Sequence, residues 1–588
     1  MLRGATILLG RLEKRYPWLG LQLFFFVLSI LSIYIFSHRG ILYDADDLKF
    51  HVDRINGLYQ AIMNNNSILM MPSFKDFKNV GDMVQSFYPM VTLLPFVFFR
   101  FIFFNPVFAL YAGLVFFTYI GFLTAYLAMF KFSKNILQSA SFALIYNLSI
   151  YHLTDLFIRF DLGEWLALIF YPIAIYGFFN IFFEDGKNYN WAVVGLSLVA
   201  YSHILATLFL VAVAIVMLII AIARKNFLLE TSFNIAKGIG LFSLQILFTI
   251  YPLVLLTLRN HIHFPTRYNL MVSPGGELAS LGTFISESAN NQLNRSLGVI
   301  LIIIVIGGFL KLRKMPIVYK YSFLFMCITA LLTTSLFPWY LLQKTPIAII
   351  QFPWRLLGVS GFFMAVVGSW LVDEIAKEVL QKKIKNRYIY GILIMLSLPS
   401  LSAEFYTFYQ KSQSDQLITN SYQQENSKNY SITSAAFSKY FGKFRNSSDN
   451  TDYYTKSAFA HKVSIQRRVI YFEDQTQNKL TNTKFENNKL TFYLNSEKKQ
   501  TVDIPIIYYR GINYQLSVNN KKEVINTSRR GTMKFFVSKG TNKVVLKIKE
   551  NFIENSFIVI SLFMWFGYIV KSLFNLLKKK RKSKDEKK

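Results

Sequence analysis

Acidic, imidazole and guanidinium side chains are concentrated in the segment that follows the first hydrophobic stretch. Asp44, Asp46 and Asp47 precede His51 and Arg54. On a helix, Asp47, His51 and Arg54 fall within about 60° of one another, beside an apolar stripe. The stripe comprises Leu48, Val52, Ile55, Tyr59 and Ile62. The line of acidic, imidazole and guanidinium groups is therefore expected to border an apolar surface, where a lipid-borne substrate would arrive.

The opposite side of this helix is expected to face solvent. Lys49, Asp53, Asn56 and Gln60 fall there. The alternative interpretation is an ordinary surface helix with unrelated charges. It explains Lys49 and Asp53 better than it explains the line of acid, imidazole and guanidinium groups.

A second group of charged residues lies between two later apolar stretches. Asp155 and Arg159 are four residues apart, and Asp161 and Glu164 follow. The first two residues can equally form an ion pair on a helix surface. Glu164 can equally be a carboxylate at a helix N-terminus, where the helix dipole stabilises it.

His203 and Arg355 are the remaining candidates. His203 separates two short apolar stretches, where a hydrogen-bonded structural histidine is the commoner case. Arg355 follows Pro353 and Trp354. Pro353 can begin a helix, and the other two residues can simply anchor the chain at a membrane interface.

The composition indicates a membrane protein that crosses the bilayer several times. Of 588 residues, 53% are hydrophobic and only 16% are charged, which excludes a soluble globule of ordinary design. The net charge of +31 comes from basic residues between hydrophobic segments and in the tail Lys578-Lys579-Lys580-Arg581-Lys582. This pattern predicts cytoplasmic loops that meet anionic membrane lipid, not a nucleic-acid partner. The single cysteine, Cys327, excludes a disulfide framework and a metal-thiolate site.

Basic residues also orient the predicted spans. Residues 18–36 form an uncleaved signal anchor, whereas the run Met90 to Phe104 is short, carries Arg100 and is expected to be interfacial or re-entrant. Residues 191–222 divide into two spans at Ser202-His203. The result is about twelve transmembrane helices with both termini cytoplasmic, which puts every candidate segment on the outer face.

The chain therefore divides into three predicted parts. Residues 1–402 form a transmembrane domain that includes the first external loop, 37–105, and residues 554–588 form the last transmembrane helix and a basic cytoplasmic tail. Between them, residues 403–553 contain alternating segments such as Lys489 to Leu494, with Gly and Asn at the breaks. Alternation of this kind predicts an extracellular β-sandwich-like domain.

These features together resemble bacterial polytopic glycosyltransferases of the GT-C superfamily. The resemblance is closest to YfhO-like proteins and to the group labelled 6-pyruvoyl-tetrahydropterin synthase-related membrane proteins. It rests on the signal anchor, Asp47-x-x-x-His51-x-x-Arg54, Arg159 to Glu164, Ser202-His203, Gln351 to Arg355, the anchored β domain and Ile504 to Gly511.

The resemblance implies transfer of a sugar from a polyprenyl-phosphate donor to a hydroxyl outside the cell. The acceptor would be a glycolipid or a cell-surface polymer such as teichoic acid or wall polysaccharide. The family carries a catalytic carboxylate in the first external loop, for which Asp47 is the best match and Asp44 and Asp46 compete. The implied donor-phosphate residues are Arg54, Arg159 and Arg355, assisted by His51 and His203.

The resemblance also leaves open whether the site binds a divalent cation, Mg²⁺ or Mn²⁺. Oligosaccharyltransferase-like members hold one between carboxylates of two external loops, here Asp47 with Asp155, Asp161 or Glu164. This chain lacks their adjacent acidic pair in the second loop. The three later carboxylates are therefore expected at least to support the site.

Two other functions fit the sequence. A transporter of lipid-linked sugar or polysaccharide would place ionisable residues near the bilayer centre and would not need Asp47. A non-catalytic scaffold of envelope assembly would need the β domain and not the charges of the outer face.

Overall fold

The computed structural model describes residues 17–184, 186, 188–224, 229–273, 276–380, 386–419, 430–437 and 450–585. The N-terminal residues 1–16, whose basic side chains helped to orient the chain, lie outside the described residues.

Helices make up most of the described chain. Their bounds are α1 Pro17–Ser37, α2 Leu48–Met63, α3 Val84–Phe87, α4 Leu94–Ile102, α5 Pro106–Ser133, α6 Ile136–Asn147, α7 Ile150–Thr154, α8 Leu162–Phe183, α9 Asn190–Ala200, α10 Ile204–Ala223, α11 Leu229–Arg259, α12 Leu281–Asn290, α13 Val299–Lys311, α14 Ile317–Leu332, α15 Leu357–Leu380, α16 Asn386–Ser414, α17 Lys456–Ala460, α18 Lys462–Gln466 and α19 Phe552–Asp585.

Eight of the described helices are long and apolar enough to cross a bilayer, namely α1, α5, α8, α10, α11, α15, α16 and α19. The protein is therefore a polytopic helical membrane protein. The break predicted at Ser202-His203 is confirmed, because α9 ends at Ala200 and α10 begins at Ile204.

The other four predicted spans form shorter helices. Helices α6, α9, α13 and α14 contain 12, 11, 13 and 16 residues. At about 1.5 Å per residue, each is shorter than the hydrocarbon core of about 30 Å. Twelve crossings therefore remain a prediction. The run from Met90 is shorter still, since α4 has only 9 residues.

The strands form a three-stranded sheet beside the helices, a two-stranded sheet of β2 and β3, and a β-sandwich near the C-terminus. Their bounds are β1 Ile41–Tyr43, β2 Val272–Ser273, β3 Gly276–Glu277, β4 Gln416–Ile418, β5 Tyr430–Thr433, β6 Val469–Phe472, β7 Gln477–Lys479, β8 Lys484–Glu486, β9 Lys489–Ser496, β10 Gln500–Ile507, β11 Asn513–Val518, β12 Lys521–Glu523, β13 Asn526–Thr527, β14 Thr532–Val537 and β15 Gly540–Lys549.

The sandwich consists of two five-stranded sheets, ordered β13-β14-β10-β6-β7 and β12-β11-β15-β9-β8. Alternate residues of both sheets, such as Ile504 and Phe492, enter one apolar core. Met71 and Phe74 of the first loop join that core. The loop therefore couples the sandwich to the membrane helices.

The membrane domain extends beyond the predicted boundary at residue 403. Helix α16 continues to Ser414, because its later turns still pack on the membrane domain through Phe408. Strands β4 and β5 then join β1, in the order β1-β5-β4. These two strands thus belong with the first loop, and the sandwich begins at Val469.

Candidate active site

The candidate residues sit where helices begin. Asp47 precedes α2, and Arg355 lies in a 3₁₀ turn directly before α15. The Asp161 carboxylate accepts the backbone N–H of Glu164 at 3.1 Å and so caps α8. The His203 Nδ1 accepts the N–H of Ala206 at 3.3 Å and caps α10. The first turn of a helix has free backbone N–H groups. Because Asp161 and His203 accept hydrogen bonds from such groups, the positions of both side chains are fixed.

Arg159 is the centre of a buried ion-pair cluster. Its guanidinium bonds to the Asp155 carboxylate, lies 3.0 Å from Asp161 Oδ2 and lies 3.2 Å from Glu164 Oε2. Its position follows from a π-helical turn, Asp155–Arg159, which ends where Phe160 takes a left-handed backbone conformation with φ of 52°. The single cation thus holds three carboxylates that the sequence placed only on one side of the membrane.

Arg355 joins the same cluster from a distant part of the chain. Its Nε lies 3.2 Å from Glu164 Oε2, and its Nη2 lies 3.7 Å from Asp161 Oδ2. Two guanidinium groups therefore share two carboxylates. Although burial opposes ionisation of Asp161, the contact with His51 and the nearby cations hold its pKa well below the ordinary value.

His51 and His203 border Asp161. The His51 Nε2 atom lies 3.6 Å from Asp161 Oδ1. Burial lowers the pKa of His51 to about 4, so the ring is neutral at pH 7. Burial also lowers the pKa of His203. The Tyr88 hydroxyl donates to Asp161 at 3.3 Å, and its ring lies 5.6 Å from that of His203.

Arg54 has a different environment from the one expected. It is 1% exposed, and it donates to the backbone carbonyls of Tyr88 and Pro89 and to Gln85. Its guanidinium also lies 4.2 Å from the centre of the Tyr88 ring. These contacts fix the segment from Gln85 to Pro89, so they favour a positioning role over direct phosphate binding.

Asp47 lies at the edge of the cluster, partly exposed. Its backbone N–H donates to the carbonyl of Arg159 at 2.7 Å, which joins the two polar segments. Within the described chain, no donor lies within hydrogen-bond distance of its carboxylate. Burial, and then the charge of Asp161, raise its pKa to about 7, against the attraction of Arg159 and Arg355. Such a carboxylate is suited to accept a proton near neutral pH.

Asp44 and Asp46, the two competing carboxylates, differ from Asp47 in the charges around them. The backbone N–H of Asp44 donates to Tyr430 of β5, and burial raises the pKa of Asp44 to about 6. Asp46 is exposed, and partial burial of its carboxyl raises its pKa. Arg159 is the strongest charged influence on Asp46 as well, but of the three acids only Asp47 has Asp161 as its strongest charged neighbour.

The prediction that Asp53 of α2 faces solvent was wrong. This residue is 1% exposed, because the loop that enters the sandwich covers that side of the helix. The helix period identified the apolar stripe correctly, but it could not show that a distant segment would cover the opposite side.

Three functional candidates were missed, namely Tyr88, Tyr151 and Arg295, and Trp354 was considered only as an interface anchor. The Tyr151 hydroxyl donates to Glu164 at 2.6 Å. The guanidinium groups of Arg159 and Arg295 lie 4.3 Å and 5.1 Å from the centre of the Trp354 ring. Arg295, partly exposed, stands at the start of an apolar span on the predicted outer face, which was the available signal.

The cluster does not fit the metal that the resemblance left open. The Arg159 guanidinium bonds to the Asp155 carboxylate and lies 3.2 Å from Glu164 Oε2, so two of the carboxylates that would ligate the ion are already paired with a cation. Among the described residues, no group of three or more His, Cys, Asp or Glu side chains could hold a metal ion.

No family model matches the chain, and no curated protein matches its sequence. Two solved structures are similar to it. The arabinofuranosyltransferase AftD from Mycobacteria has a TM-score of 0.41 and 14% identity, covering 67% of this chain and 27% of its own. The archaeal oligosaccharyltransferase AglB from Archaeoglobus fulgidus, solved with an inhibitory peptide and a dolichol-phosphate, has a TM-score of 0.39 and 11% identity, covering 75% and 61%. The chain thus spans less than two thirds of each.

Proposed function

We propose that the chain is a membrane glycosyltransferase of the GT-C type. It transfers a sugar from a polyprenyl-phosphate donor to a hydroxyl of a cell-surface polymer or glycolipid, on the outer face of the cytoplasmic membrane. The observation that carries the proposal is the Asp47 carboxylate, which has no hydrogen-bond donor in the described chain and lies beside two buried guanidinium groups.

The orientation is supported by where basic residues lie. Helices α8, α10 and α15 each begin beside the cluster and run away from it. Helix α10 ends at Ala223 and is followed by Arg224, and α15 carries Lys377 in its last turn. Basic residues mark the cytoplasmic side, so the cluster and the sandwich lie outside the cell and both termini lie inside.

In the proposed step, the acceptor oxygen forms a bond to the anomeric carbon of the sugar. The bond between that carbon and the phosphate oxygen breaks, and the electron pair leaves with the lipid phosphate. Asp47 takes the acceptor proton. Arg159, Arg355 and the more exposed Arg295 supply positive charge for the phosphate. Their paired carboxylates hold them in place before the substrate binds, and His51 and His203 help to hold Asp161.

Asp47→Asn tests the proposal, because it keeps the shape of the side chain and removes the base. Wild type, Asp47→Asn and the neighbouring control Asp46→Asn are reconstituted in liposomes with a panel of polyprenyl-phosphate sugars and a crude wall-polymer acceptor. We expect Asp47→Asn to lower transfer about 10²- to 10⁴-fold. Asp46→Asn should keep most of it. Equal transfer by wild type and Asp47→Asn would remove Asp47 from the reaction.

A further inference from the structure

The short segment before α17, residues 450–455, reaches the candidate active site from the part of the chain that leads into the sandwich. The Tyr453 ring stacks on that of Phe87, with ring centres 4.8 Å apart and an angle of 3° between the planes. Phe87 directly precedes Tyr88, whose hydroxyl donates to Asp161 at 3.3 Å. Tyr453 therefore packs on the chain neighbour of a side chain that borders the ion-pair cluster.

Tyr453 has an uncommon backbone conformation. Its φ is 69°, in the left-handed region that an aromatic residue rarely adopts. The surrounding chain maintains this conformation through two hydrogen bonds. The backbone N–H of Tyr453 donates to the carbonyl of His263 at 2.7 Å, and the carbonyl of Tyr453 accepts from the Tyr509 hydroxyl at 3.0 Å. Backbone conformations of this kind persist where the surroundings impose them, and they are concentrated at functional sites.

The charges near the Tyr453 hydroxyl indicate which groups it faces. Burial raises the pKa of Tyr453, and the charge of Asp452 raises it further. The guanidinium groups of Arg54 and Arg355 act in the opposite direction. Arg355 belongs to the ion-pair cluster, since its Nε lies 3.2 Å from Glu164 Oε2. The hydroxyl therefore lies near one carboxylate and two guanidinium groups, at the edge of the candidate active site.

Asp452 and Tyr453 offer polar groups to a ligand. Within the described residues, nothing donates to the Asp452 carboxylate or pairs with the Tyr453 hydroxyl, and both residues are only partly exposed. Burial raises the pKa of Asp452 to about 6, so most of its carboxyl is ionised at pH 7. A carboxylate accepts hydrogen bonds from hydroxyls, and a phenol hydroxyl both donates and accepts. Together these groups match neighbouring hydroxyls of a sugar.

We propose that Asp452 and Tyr453 bind hydroxyl groups of the transferred sugar and so select which sugar is transferred. This assignment rests on the proposed function, because it takes Arg355 as a residue that holds the donor phosphate. The sugar is bonded directly to that phosphate, so groups near Arg355 are within reach of its hydroxyls. The ionised Asp452 carboxyl would repel the phosphate itself, which favours the uncharged sugar as its partner.

The test measures binding of lipid phosphates to the full chain in nanodiscs, on an Asp47→Asn background that prevents transfer. The probes are radiolabelled farnesyl phosphate and its glucosyl, galactosyl and N-acetylglucosaminyl derivatives. We expect Asp452→Asn and Tyr453→Phe each to weaken binding of the tightest-binding sugar derivative about tenfold. Binding of farnesyl phosphate should not weaken, because it carries no sugar.

Matched variants separate sugar binding from a structural role. Tyr453→Phe keeps the ring that stacks on Phe87, and Asp452→Asn keeps the shape of the side chain. Tyr493→Phe in β9 and Asp474→Asn after β6 make the same changes on the sandwich and should not alter binding of any probe. Equal weakening of farnesyl phosphate and its sugar derivative would overturn the proposal. Unchanged binding in both site variants, or no binding of any sugar derivative to the background chain, would also overturn it.

Transfer assays with Asp47 intact separate this proposal from the proposed function. Asp47-dependent transfer that Asp452→Asn and Tyr453→Phe leave unchanged would overturn the sugar site and leave the proposed function standing. Sugar-specific binding that needs both residues, without transfer to any acceptor, would retain the sugar-binding site and overturn the proposed transfer. A higher KM for the acceptor polymer with unchanged donor binding would overturn the assignment to the transferred sugar.

Discussion

The rate of sugar transfer is expected to rise with pH through the ionisation of Asp47. Burial and the neighbouring Asp161 raise the pKa of this carboxyl to about 7. The ionised fraction is then about 9% at pH 6 and about 91% at pH 8, so the rate should differ about tenfold between them. An ordinary aspartate would be ionised at both values and would show almost no difference.

The assay measures initial rates of transfer at low donor concentration from pH 5.5 to 8.5, because kcat/KM reports groups of the free enzyme. Asp46→Asn is the informative comparison, since the charge of Asp46 also raises the pKa of Asp47. Its acid limb should move to lower pH. A rate that is constant between pH 6 and 8 would refute the reasoning that a desolvated Asp47 is the base.

The same shift makes a prediction about stability. Because the pKa of Asp47 is about 7 when folded and near its ordinary value of 3.8 when unfolded, the folded state binds the proton more tightly. The carboxyl therefore destabilises the fold increasingly from about pH 4 to about pH 7. Asp47→Asn should be more stable than wild type at pH 8 and similar to it below pH 4, by thermal unfolding in detergent. A less stable variant at pH 8 would contradict this.

The remaining predictions concern the packing of the cluster. Arg159→Met should destabilise the protein by about 3 to 5 kcal/mol at pH 8, because it leaves buried carboxylates without their cation. Adding Asp155→Asn to the same chain should restore part of the lost stability. Arg313→Met, at an exposed residue, is the control for thermal unfolding. Gly163→Ala should lower transfer more than stability, since its Cβ would overlap the Tyr88 hydroxyl that contacts Asp161; a wild-type rate would show that the position of Tyr88 is unimportant. Gly57→Ala should lower the melting temperature, because its Cβ would overlap the buried carboxylate of Asp76.

Much of the architecture could be predicted from local sequence. Hydrophobic length identified the long spans, and alternation identified strands such as β9 and β10. The polar interruption at Ser202-His203 located a helix break, because a polar residue that caps a helix also marks its start. The positive-inside rule placed Arg159, His203 and Arg355 on one side, and the structure brings all three around Asp161.

The sequence by itself determined that the chain crosses a membrane repeatedly and that its unusual charges gather at one end of the spans. Both follow from periodicity, length and charge, which each element carries alone. Only the tertiary structure decided the partners. In the folded chain, Arg159 pairs with three carboxylates, and Arg54 donates to the backbone carbonyl of Pro89. Asp53 is buried, and the Trp354 ring contacts two arginines. These contacts join segments far apart in the chain, and they depend on how whole elements pack, which no local pattern records.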